Sequence, residues 1–92
     1  MMQILVWLVF TNGEVEYKSQ VLLTTTKCND PPTVARAYLL DIFAEGTVQD
    51  KDQPNRFWAK GDTRCVTISN IKTLSDAEFD FLKHYLDATS VS

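Results

Sequence analysis

Two extended patterns of different kinds fill residues 3 to 23, QILVWLVFTNGEVEYKSQVLL: Ile4 to Phe10 is apolar throughout, whereas the stretch from Glu14 onward largely alternates. Asn12-Gly13 between them is a hairpin signal, because both residues tolerate the positive φ of a type I′ turn. A two-residue turn there sets Thr11 opposite Glu14, and the next pairs on one face, Phe10 with Val15, Leu8 with Tyr17, Val6 with Ser19, Ile4 with Val21 and Met2 with Leu23, make it almost wholly apolar. The opposite face pairs Val9 with Glu16, Trp7 with Lys18 and Leu5 with Gln20, oily on one strand and polar on the other.

The pattern then changes period. Asp30 suits a helix N-cap and Pro31 the first helical position, and Gly46 stands where a C-terminal cap belongs. Ala35, Tyr38, Leu39, Ile42 and Phe43 form one apolar stripe, so a helix is expected from about Pro31 to Glu45. Residues 47 to 56 lack periodicity and read as one long polar loop. NRFWAKGDTRCVTISNI reads as a second hairpin with Gly61-Asp62 at its tip, pairing Phe57 with Val66, Trp58 with Cys65 and Arg56 with Thr67. Ser75 and Glu78 make a capping box for a second helix, with Leu74 placed to staple onto Phe79. Phe79, Leu82 and Leu86, flanked by Phe81 and Tyr85, are its expected buried arc, and residues 88 to 92 are expected to fray.

The order is ββαββα, a single domain over residues 1–92. Each helix needs an apolar sheet face and each hairpin offers one good candidate. The expected fold is therefore an α+β two-layer sandwich, a four-stranded antiparallel sheet with two helices on one face.

A net charge of −3, from nine Lys and Arg against twelve Asp and Glu, disfavours strong long-range attraction to nucleic acid. The apolar start, Ile4 to Phe10, is too short for a membrane span and has no cationic flank, so no membrane association and a cytoplasmic location are expected. Cys28 and Cys65 lack zinc-site spacing and read as reduced thiols in that compartment. No cofactor or metal site is expected. His84 one helical turn after Asp80 reads as a solvated pair, and Asp50, Lys51 and Asp52 as a solvated loop, so the expectation is a protein that is not an enzyme.

What remains is the open sheet face. It carries Leu5, Trp7 and Val9, then Glu16 and Lys18, then Arg56, Trp58 and Lys60. Trp and Arg dominate binding hot spots, and an apolar stripe bordered by charge marks a partner site. Three readings compete: a central strand whose stripe is covered by Lys and Arg stems and crossing chain, an interface with another protein or a second copy of this chain, and single-stranded nucleic acid stacked on Trp7 and Trp58. The protein interface is preferred over direct nucleic-acid binding, because the chain is acidic.

The compact start MMQILVWLVFTNGEVEY, the acidic positions Glu14, Glu16, Asp50, Asp52 and Asp62, and the lack of an enzyme motif give the chain a format that resembles the small inhibitors of phages and mobile elements, anti-CRISPR proteins among them. The resemblance covers the whole chain as a format and carries over no residue role. It implies a stoichiometric blocker of a nucleic-acid-handling host complex in the host cytoplasm, with Glu14, Asp50, Asp52 and Asp62 as acidic contacts and a Trp anchor.

Overall fold

A computed structural model describes residues 2–26, 30–43, 48–58 and 64–91. Their order is β1 (Met2–Asn12), β2 (Val15–Thr25), α1 (Pro31–Phe43), β3 (Val48–Gln49), β4 (Arg56–Trp58), β5 (Arg64–Thr73), α2 (Asp76–Leu82) and β6 (Ala88–Ser90). The strands form one mixed sheet in the order β3-β4-β5-β1-β2-β6, with β6 parallel to β2 and the other neighbours antiparallel. The class is α+β, and β3 and β6 widen the sheet beyond the four expected strands.

The first hairpin turns one residue later than Asn12-Gly13. Asn12 pairs with Val15, and Gly13 and Glu14 are the central residues. Gly13 has φ 64, the left-handed region open to glycine, at the first central position. The pairs become Phe10 with Tyr17, Leu8 with Ser19, Val6 with Val21, Ile4 with Leu23 and Met2 with Thr25. Every partner moves by two residues, so each side chain keeps its expected face. The second hairpin has the expected pairs Arg56 with Thr67, Phe57 with Val66 and Trp58 with Cys65. Its tip, with Lys60, Gly61 and Asp62, lies outside the described residues.

The larger correction concerns the helices, which lie on opposite faces of the sheet. Ile4, Val6 and Leu8 pack with Leu23, Phe57, Val66, Ile68 and with Val34, Ala35 and Leu39 of α1. Leu5 and Leu22 point the other way and pack with Leu74, Phe79 and Leu82 of the α2 region. Two-sided burial accounts for the unbroken apolar run of β1.

One residue of β5 decides the side. The β1–β5 register shifts between Trp7 and Leu8, so that Ile68 faces Leu8, Asn70 faces Trp7 and Ser69 is the extra residue of a bulge. Ser69 donates its hydroxyl to the Trp7 carbonyl at 3.2 Å. Before the bulge Val66 and Ile68 point to the α1 face; after it Ile71 does, opposite Val6. The same inversion turns Leu74 to the other face, where its N–H donates to the Gln3 carbonyl at 2.9 Å, and α2 follows it there.

Local chemistry sets the helix starts. Asp30 caps α1, accepting the Thr33 hydroxyl at 2.7 Å and the Thr33 N–H at 3.3 Å. α2 has the full capping box: Glu78 N–H donates to the Ser75 hydroxyl oxygen at 3.2 Å, and Ser75 N–H to Glu78 at 3.1 Å. It is a helix of seven residues and stops at Leu82, with His84 in the following turn. Residues 88 to 91, part of the tail expected to fray, are instead tied to the sheet; Ser92 lies outside the described residues. β6 pairs with Leu22 to Thr24, Val91 N–H donates to Thr24 O at 2.8 Å, and Val91 packs against the α1 core. Among the described residues no helix is long and apolar enough to cross a membrane.

Candidate binding surface on the second sheet face

A seven-residue helix cannot cover a face built on strands of eleven residues. α2 shields the end that holds Leu5 and Leu22, and among the described residues no other helix covers the rest. Leu5, expected as a contact residue, is only 6% exposed and belongs to the core. Trp7, half-buried, stands at the boundary between the covered and uncovered ends. Beyond it lies an open depression of about 360 Å³ lined by Val9, Thr11, Glu16, Arg56, Trp58, Cys65 and Thr67. The register brings these together from four strands, as expected for Val9, Glu16, Arg56 and Trp58. Lys18, opposite Val9, is exposed at the rim. Lys60 and Asp62 lie outside the described residues.

Trp58 is held in place from the loop before its strand. Its indole N–H donates to Asp50 Oδ2 at 3.0 Å, and Arg56 Nη1 lies 3.9 Å from the same oxygen. Arg56 Nε donates to Thr67 Oγ1 at 3.4 Å, which fixes the guanidinium along the sheet. The other Asp50 oxygen accepts the Asp52 N–H at 2.9 Å. These donors, the indole first and the Asp52 N–H second, stabilise the ionised carboxyl and hold Asp50 below its ordinary pKa. Asp50 is therefore an internal clasp, in contrast to the free acidic contact expected of it. Its loop is also more ordered than a polar linker: Val48 and Gln49 pair with Trp58 and Phe57. Glu14 and Asp52 are exposed.

Sequence reasoning missed the second part of the surface. Phe81 and Tyr85, placed beside the buried arc, are 63% and 74% exposed and lie against each other with ring centroids 5.4 Å apart. They sit four residues apart and off the Phe79, Leu82, Leu86 stripe, which was the legible signal. Phe81 borders an apolar groove of about 480 Å³ whose walls include Trp7, Leu74, Ala77 and Leu82. Lys72 and Glu78 close its rim through an ion pair of 2.8 Å. That ammonium, with the Ser75 N–H, holds the Glu78 carboxyl down at about 2. Trp7 is thus shared by the groove on one side and, with Lys18, Gln20, Ser69 and Leu86, a further depression of about 420 Å³ on the other.

The residues weighed for chemistry are not gathered. The Asp80 carboxylate pairs with Lys83 at 3.1 Å. His84 is exposed, and Cys65 is a free, buried thiol; Cys28 lies outside the described residues. Among the described residues no group of three His, Cys, Asp or Glu is placed to hold a metal ion. Comparison with protein-family models, with curated proteins and with solved structures finds no match for this chain.

Proposed function

We propose that this chain is a non-enzymatic binding protein that holds a protein partner against the uncovered part of its second sheet face. In that role it acts as a stoichiometric inhibitor or accessory factor of a host effector complex, the mode implied by its resemblance to small phage inhibitors of the anti-CRISPR type. The observation that carries the reading is the immobilised Trp58. Asp50 takes its one donor, so the ring presents a fixed apolar plate beside Val9. A side chain already fixed loses little entropy on binding, and such aromatic anchors dominate interface energetics. Arg56 and Lys18 frame the plate, and Trp7 with Phe81 extends it around α2.

The Asp50 carboxylate beside Trp58 and Arg56 also weighs against nucleic acid as the ligand, because it opposes a phosphate where the guanidinium would attract one. The test compares wild type with Trp58→Ala and Trp7→Ala in binding to proteins of the native host, alongside titration with free single-stranded oligonucleotides. The reading expects a protein captured in stoichiometric amount by wild type and lost in Trp58→Ala, with no oligonucleotide binding. Two folded variants that keep every partner, or tight salt-sensitive binding of random oligonucleotides, refute it.

A further inference from the structure

β2 has an outer edge that its neighbour does not cover. β6 joins it only from Leu22 to Thr24, and among the described residues no strand pairs with the outer side of Val15 to Val21. Such an edge presents unpaired N–H and C=O groups to any strand that fits it. The turn through Gly13 and Glu14 makes Asn12 and Val15 a hydrogen-bonded pair. Alternation then directs the backbone groups of Val15, Tyr17 and Ser19 toward β1 and those of Glu16 and Lys18 outward.

We infer that this edge pairs with the same edge of a second copy of the chain, antiparallel and centred on Tyr17, to make a two-fold dimer with one continuous sheet. In that register Glu16 stands opposite Lys18 of the second copy and Lys18 opposite its Glu16, so both outward-pointing residues meet an opposite charge. Centring the pairing on Glu16 or on Lys18 instead sets like charges face to face. A lone edge lysine discourages pairing; the glutamate two residues before it makes the segment self-complementary. Neither Glu16 nor Lys18 has an ion-pair partner among the described residues.

The other face of the edge agrees with the same centre. Tyr17 and Val15 are 56% and 64% exposed, high values for apolar side chains on a strand. Tyr17 is stacked on Phe10, with centroids 5.1 Å apart and planes at 13°, and is held ready to meet the second Tyr17 across the axis. Val15 then opposes Ser19. The segment Val15 to Ser19 ends before Leu22, where β6 occupies the edge, so the second strand fits without displacing it. A two-fold axis normal to the sheet also sets the uncovered Trp58 faces of the two copies side by side on one surface. The inference stands independently of what that face binds.

Sedimentation of the purified chain tests it, with no partner present. Wild type is expected to pass with concentration from 10.5 kDa to twice that mass. Glu16→Lys and Lys18→Glu each place like charges opposite, and the two changed contacts weaken self-association on the order of 10- to 100-fold. An equimolar mixture of the two variants restores the dimer, since every cross-strand pair is then complementary, and so does the double swap in one chain. Circular dichroism confirms the fold of each variant, whose altered side chains are exposed. A wild type that stays monomeric at every concentration, single variants that associate like wild type, or a mixture that stays monomeric overturns the inference.

Discussion

Replacing Leu5 by Ala tests where the covered half of the second sheet face ends. Leu5 is 6% exposed and packs with Leu22 and Leu74, and Trp7, Phe79, Leu82 and Leu86 complete the cluster. The substitution removes three carbons, worth about 2.4 kcal/mol at roughly 0.8 kcal/mol per buried CH₂. The cavity left between strand and helix raises the cost to about 3 kcal/mol. Val9 lies on the same strand face four residues along, half-buried and beyond α2. Val9→Ala removes two methyl groups that are partly in water already, at a cost below about 1 kcal/mol. Urea unfolding followed by far-UV circular dichroism measures both, and hydrogen exchange shows whether protection is lost in α2. Equal costs for the two variants, or less than about 1 kcal/mol for Leu5→Ala, would refute the placement of α2 on Leu5.

Deleting Ser69 removes the bulge and inverts the end of β5, setting Ile71 toward the α2 face and Leu74 toward α1; the chain is expected to lose cooperative unfolding, while Ser69→Ala, which loses only the bond to Trp7, unfolds cooperatively at a cost of about 1 kcal/mol. Glu78 is held at about 2 against an ordinary 4.5, so its stabilising contribution is complete above the ordinary value and is lost as pH falls toward the lower one. The melting temperature of Glu78→Gln should therefore fall less than that of wild type across this window. Asp50→Ala, made in a Trp7→Phe background, releases the Trp58 indole, and its emission should shift to longer wavelength; unchanged emission would mean that the clasp does not hold the ring. Truncation after Asp87 strips β6 from Leu22 to Thr24 and removes Val91 from the core, and is expected to cost about 2 kcal/mol in thermal or urea unfolding.

Both hairpins, both helix starts and the faces of the strand residues were readable because they follow local periods; β3, β6 and the side taken by α2 were not. Alternation put Leu5, Trp7 and Val9 on one side of β1, and Arg56 and Trp58 on the same side of the sheet, and the one-residue displacement of the turn moved partners by two and preserved both. The Asp30 cap and the Ser75–Glu78 box lie within four residues of chain, and both formed as read. The Asp50–Trp58 clasp was not readable, since a carboxylate in a polar loop looks solvated until a strand carries an indole to it.

The sequence by itself thus determined the two hairpins, where both helices begin, which residues of a strand share a face, and that β1 is apolar on both sides; β3 and β6 were not legible in it. Tertiary structure alone decided what covers the second side. The arc of Phe79, Leu82 and Leu86 fits either apolar face of β1, and nothing within α2 prefers one. The side is settled by the extra residue at Ser69, because side chains alternate with a period of two and a single insertion carries Leu74, with the helix stapled to it, across the sheet.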